Sequence, residues 1–241
     1  MTFGHAGDGG DCVYSACVIR ALGGGTLCLH AENWTREKMD GQKVESLRSL
    51  LSTQPYIDDV RWLSRDEQVD VNLNDFRSEY FRTFGRPGFP AERNLCEWML
   101  RTHGLPVEEQ NKRWLVGIEP IRRAKVVVNR TVRYQNKLFP WAKVIEKYGS
   151  DIGFVGSRDE HRLFGRQFGP VPWIDTGSLL ALAQVIAGAE LFIGNQSCPY
   201  ALAEGMKKRA VLEVCRWLPN CLFNRADCTH GWDASVELPD L

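Results

Sequence analysis

From residue 124 to residue 215 the chain alternates short apolar runs with helix-length segments, and the links between them are brief. AKVVVN (124–129), DIGFVGS (151–157), ELFIGN (190–195) and RAVLEVC (209–215) read as strands. PWAKVIEKYG (140–149), RDEHRLFGRQF (158–168), SLLALAQVIAGA (178–189) and PYALAEGMKK (199–208) read as helices. Pro140 suits a first helical position and Ser178 a helix N-cap. VPWIDTG (171–177) gives a further strand end. Strands that are apolar along their whole length need cover on both faces. Alternation with helices supplies that cover, so a parallel sheet flanked by helices is expected.

The first third reads the same way. A glycine-rich loop, GHAGDGGD, leads into a helix through CVYSACVIRAL, which GGG at 23–25 stops. TLCLHA (26–31) reads as a buried strand. QKVESLRSLLSTQ (42–54) has Val44, Leu47, Leu50 and Leu51 on one face. YIDDVRWLS and VDVNLNDF look like short strands or strand ends. FGRPGFPAERN must be loop, NLCEWMLRTHGL (94–105) is helical, and a linker-like stretch follows. The expected class is therefore α/β: two Rossmann-like parallel-sheet domains facing a cleft, spanning residues 1–120 and 121–241. Charge supports the division. Residues 1–120 carry 14 Lys and Arg against 18 Asp and Glu, whereas residues 121–241 carry 16 against 12. A basic half suits an anionic ligand, although ordinary surface variation gives the same imbalance.

Hydrophobic content of 44% with 25% charged residues excludes disorder and fibre. No apolar run reaches the roughly 18 residues of a membrane span. No basic segment precedes an apolar core at the N-terminus, so a cytoplasmic protein without a signal peptide is expected. Eight cysteines include no C-x-x-C pair, and reduced thiols follow. Cys221, Cys228 and His230 fit no standard zinc spacing, so no metal site is expected. The eight tryptophans offer sugar-stacking platforms, but most, Trp98 and Trp141 among them, are expected in the core.

Three loops follow predicted strands or precede predicted helices, where α/β proteins place their chemistry. In GHAGDGGD (4–11), the Gly-Lys-Ser/Thr of a P-loop is absent. The dinucleotide fingerprint fits badly too, with Gly7 and Gly9 followed by Cys12. Asp11 reads either as the N-cap of the first helix or as a general base held in a cleft. His5 reads either as a cleft acid or base or, in preference, as a hydrogen-bonded loop histidine. In NRTVRYQNKLFPW (129–141), Arg130, Arg133 and Lys137 make either a diphosphate site or a solvated basic loop. In IGNQSCPYALAEG (193–205), backbone amides at a helix start suit a phosphate, with Asn195 and Gln196 as neutral donors. The alternative is that Asn195 or Ser197 only caps the helix.

In their order these segments resemble the ADP-heptose–lipopolysaccharide heptosyltransferase-like glycosyltransferases, which have the GT-B fold. GDCVYSACVIRALGG (10–24) is similar to that family's N-terminal signature. VVVNRTVRYQNKLFPWAKVIEKYGSDIGFVGSRDE is similar to the segment opening its second domain, and IDTGSLLALAQVIAGAELFIGNQSCPYALAEGMKKRAVLEV to its donor-binding stretch. The middle, about 31–120, matches only in element order.

The resemblance implies inverting, metal-independent sugar transfer from a nucleotide-sugar donor to a hydroxyl acceptor, a glycan or lipid-linked saccharide, with no cofactor. By position, Asp11 matches the family's general base and Lys137 its phosphate-contacting lysine. Glu160 falls in the segment that meets the nucleotide. Arg130, Arg133, Asn195, Gln196 and Ser197 would complete the donor site, and His5, Gly7, Asp8 and Gly10 the acceptor-side loop. At 195 the family usually has Asp, followed by Thr-Gly; here the run is Asn-Gln-Ser-Cys-Pro-Tyr. The first strand is short, about MTFGH, which implies an acceptor other than a full lipopolysaccharide core. Three alternatives stand beside this reading: transfer to hydroxymethylated bases in DNA, a non-catalytic nucleotide- or sugar-binding descendant, and a sugar-nucleotide epimerase.

Overall fold

The computed structural model describes residues 1–31, 39–64, 66–83 and 93–241. By internal contacts the chain divides into two units, Met1–Gly117 and Ile118–Leu241. Much of the FGRPGFPAERN segment lies outside the described residues.

The first unit carries β1 (Thr2–His5), α1 (Gly9–Ala21), β2 (Gly25–Leu29), α2 (Gly41–Leu51), β3 (Ile57–Trp62), β4 (Val71–Asn72), α3 (Phe76–Thr83) and α4 (Leu95–Thr102). Its sheet runs β3-β2-β1-β4 with every pair parallel. Phe3 of β1 faces Leu27 on one side and Val71 on the other. Phe3, Leu27, Leu29 and Val60 are fully buried. α1 is buried without a break from Cys12 to Ile19, the pattern of a helix covered all round. α2 buries the four residues read from its periodicity, and Asp40 caps it by accepting from Lys43 N at 2.9 Å.

β1 ends at His5, in line with the MTFGH reading, so the loop proper begins at Ala6. Helix α1 starts at Gly9, with Asp8 at the N-cap position and Asp11 inside the first turn, so Asp11 is not the cap. The glycines at 9 and 10 concealed that start, because glycine is a poor helix former. VDVNLNDF is only partly strand: β4 stops at Asn72, and Phe76 already begins α3.

The second unit carries β5 (Val126–Asn129), α5 (Trp141–Tyr148), β6 (Ile152–Phe154), α6 (Arg158–Phe168), α7 (Leu179–Gly188), β7 (Leu191–Asn195), α8 (Cys198–Gly205), β8 (Ala210–Glu213) and β9 (Cys228–Gly231). Its sheet is also wholly parallel, in the order β6-β5-β7-β8-β9. β8 is not the last strand, since β9 adds an edge beyond it. VPWIDTG contributes one bridge, Trp173 to Phe154, and no full strand. Val126, Val128, Trp141, Phe154, Phe164 and Ile193 build the core. Trp98 and Trp141 are buried, as expected, whereas Trp217 and Trp232 are exposed. The C-terminal residues strap α5: Lys147 Nζ donates to Leu238 O at 2.6 Å, and Tyr148 OH to Pro239 O at 2.7 Å. No helix among the described residues is long and apolar enough to cross a membrane.

Candidate functional site

In open parallel sheets ligands collect beyond the carboxyl ends of the strands, where the strand order reverses. In the first sheet the chain moves outward from β1 to β2 and β3, then returns to the other side of β1 for β4. That switch point lies beyond His5 and Asn72. In the second sheet it lies between β5 and β7, beyond Asn129 and Asn195.

Beyond β1 the chain turns through Ala6-Gly7-Asp8 into α1. Arg77, at the start of α3, donates from Nη2 to Asp11 Oδ2 at 2.7 Å, with the side chains 13% and 21% exposed. The guanidinium also lies 4.8 Å from the Phe76 ring centre. Arg77 and the amino end of α1 both stabilise negative charge on Asp11. Asn74 Oδ1 accepts from Ala6 N at 3.2 Å and ties the turn to the loop after β4. Gly7 is required by crowding. A Cβ there would stand 2.5 Å from His5 Cε1, 2.6 Å from Asp11 Cβ and 2.8 Å from Arg77 Nη2. Asp8 and Gly10 flank this cluster at the helix start.

His5 is fully buried. Its Nδ1 accepts from Gly7 N at 2.8 Å, so the neutral ring carries its proton on Nε2. Burial first, then the nearby Arg77 charge, pushes the imidazole down to about 3. A histidine held neutral in the fold and free to charge when unfolded makes stability pH-dependent. Its contribution is complete above the ordinary imidazole value of about 6.5 and is lost as pH falls toward about 3. Urea denaturation between pH 7 and pH 4 should therefore show a declining unfolding free energy. In His5→Gln that decline should be shallower, and equal slopes would remove His5 as its source.

Beyond β5 and β7 the pattern is different. Asn195 is fully buried. It accepts from Thr131 N at 3.1 Å, and its Nδ2 donates to Thr131 O at 3.1 Å and Arg133 O at 2.5 Å. Gln196 Nε2 donates to Leu218 O and Asn220 Oδ1, and Gln196 Oε1 accepts from Cys215 N. Ser197 Oγ donates to Asn129 Oδ1 at 2.9 Å instead of capping α8. Arg130 turns inward. It grips Glu213 through Nε at 2.9 Å and Nη2 at 3.0 Å, and the two side chains are 6% and 0% exposed. Glu213 also accepts from Asn136 N and Trp141 Nε1. Glu160 forms a capping box with Ser157 at the start of α6. Lys137 is exposed in the loop after β5. In the same loop the Arg133 guanidinium lies 5.4 Å from the Tyr134 ring centre.

No family model matches the sequence, and no curated protein matches it. Solved structures do match. Escherichia coli heptosyltransferase WaaC with ADP-2-deoxy-2-fluoro heptose is 11% identical, covering 88% of this chain and 87% of that one at a TM-score of 0.51. WaaC with ADP aligns at 11% identity over 88% and 86%, with a TM-score of 0.53. A glycosyl transferase family 9 structure from Veillonella parvula is 15% identical over 95% and 84%, with a TM-score of 0.59. The chain has the heptosyltransferase fold.

Within the heptosyltransferase fold the expected residues are sorted by environment. Asp11, His5, Gly7 and Asp8 gather at the carboxyl end of β1, and sequence reading missed their partner Arg77. The helix-start residues Asn74 and Asp75, just before Phe76, were the available signal for α3. Beyond β5 and β7, Lys137 and Arg133 remain near the surface. Arg130, expected among the donor-binding cations, instead neutralises Glu213 in the interior. Asn195 and Gln196, expected as phosphate donors, bond to neighbouring loops. Glu160 holds the start of α6.

Proposed function

We propose that this chain is a glycosyltransferase of the heptosyltransferase-like family, moving a sugar from a nucleoside diphosphate to a hydroxyl acceptor with inversion. The observation that carries the reading is the placement of Asp11: a part-exposed carboxylate at the first switch point, gripped by Arg77, in the fold of enzymes solved with ADP and an ADP-heptose analogue. Asp11 takes the acceptor proton as the hydroxyl attacks the anomeric carbon, and the C–O bond to the diphosphate breaks in the same step. Lys137 and Arg133 neutralise the departing diphosphate. Residues 1–120 serve the acceptor and residues 121–241 the donor, and no metal or cofactor enters the scheme. The acceptor is a saccharide, free or lipid-linked; the neighbours lend no support to nucleic acid.

The test is turnover with a panel of ADP-, GDP-, UDP- and CDP-sugars and saccharide acceptors, reading free nucleoside diphosphate and the anomeric configuration of the product. Acceptor-dependent release with inversion is expected for one donor class. Nucleotide binding without any release would instead support the non-catalytic reading, which the replacement of the family's usual Asp by Asn195 motivates. Sugar rearrangement without an acceptor would identify an epimerase.

A further inference from the structure

Asn195 and Gln196 are neighbours in sequence, yet each fastens a different loop. Asn195 holds the turn after β5 through Thr131 and Arg133. That turn places Tyr134 at φ +57°, a backbone region that a bulky side chain avoids. Gln196 holds the loop after β8 at both ends, accepting from Cys215 N at 2.7 Å and donating to Leu218 O at 2.7 Å. Between those anchors lies Trp217, 61% exposed. The two loops meet over the end of β7 through these side chains: the Tyr134 and Trp217 ring centres are 5.7 Å apart, tilted by 39°. Two buried amides thus maintain a strained tyrosine and a water-exposed indole, both unfavourable for the folded protein alone. Such local costs cluster where a ligand is received.

We propose that the Tyr134–Trp217 face receives the base of a nucleoside diphosphate. The inference rests on the glycosyltransferase reading and assigns one part of its donor. Three observations favour a nucleotide base over a purely apolar occupant. The face stands at the carboxyl edge of the sheet, beside its switch point. The Arg133 guanidinium lies against Tyr134, and Lys137 is exposed in the same loop. An aromatic surface flanked by cations matches a flat base with an anionic tail. Asn195 and Gln196 are then positioning residues rather than phosphate ligands.

Calorimetric titration of the full chain with ADP, GDP, UDP, CDP and inorganic pyrophosphate tests this. Trp217→Ala should weaken the best nucleoside diphosphate about tenfold, the loss expected for one stacked base. Trp217→Phe should restore most of the affinity, and pyrophosphate binding should not change. Unchanged nucleotide affinity in Trp217→Ala overturns the assignment while leaving the glycosyltransferase reading intact. So does an equal loss for pyrophosphate, which would mean a disturbed loop. Failure of the unaltered chain to bind any nucleoside diphosphate overturns both readings.

Discussion

Asp11→Asn lowers kcat by about 10²- to 10⁴-fold, the usual contribution of a positioned general base, while the affinity for nucleoside diphosphate stays within about twofold. The substitution is nearly isosteric and keeps an oxygen for Arg77 to hold, so the first-unit turn should survive. It removes only the ability to take up a proton. The helix geometry makes the experiment decisive. Asp11 sits inside the first turn, and the cap position belongs to Asp8, so a fall in activity cannot be ascribed to loss of an N-cap. Single-turnover kinetics with a saturating donor gives the chemical step, and thermal unfolding confirms the fold. Undiminished turnover in a folded Asp11→Asn would sink the assignment of Asp11 as base.

Glu213→Gln should destabilise the second unit by about 3–5 kcal/mol, the cost of leaving a buried charge without its counter-ion. Arg130 is 6% exposed and its bidentate partner wholly buried, so water cannot replace the lost charge. The carboxylate also gathers Asn136 N and Trp141 Nε1, which joins the loop after β5 to the core helix α5. Urea unfolding followed by intrinsic fluorescence reads the loss directly. Removing the second charge as well, in Glu213→Gln with Arg130→Gln, should recover part of it. A single substitution within about 1 kcal/mol of the parent would mean that Arg130 reaches solvent.

The second unit was the more legible in sequence because its central strands are apolar on both faces. β5, β7 and β8 are buried along their whole length, and such runs have few readings other than strands in a covered parallel sheet. β9 escaped for the opposite reason: Cys-Thr-His-Gly at a sheet edge is mostly half-buried and carries no apolar period. The site was legible in part. Asp11 stood out among glycines, but its partner Arg77 is 66 residues away, and no local pattern encodes that meeting. The inward turn of Arg130 was equally hidden, since its counter-charge Glu213 lies 83 residues on. Asn195 and Gln196 had the right chemistry for a phosphate. Whether an amide bonds to a ligand or to a carbonyl of its own chain depends on loops that only the tertiary fold brings near.

The order of the first sheet bears on how the protein is made. β1 is an inner strand, with β2 on one side and β4 on the other, and its contacts with the second neighbour span 68 residues. At the usual pace of synthesis, roughly 5–20 residues per second, β1 waits several seconds for β4 to emerge. During that interval β1 presents an unpaired edge, so translation speed across residues 30–70 should govern how much of the nascent chain aggregates before the turn that carries Asp11 can form.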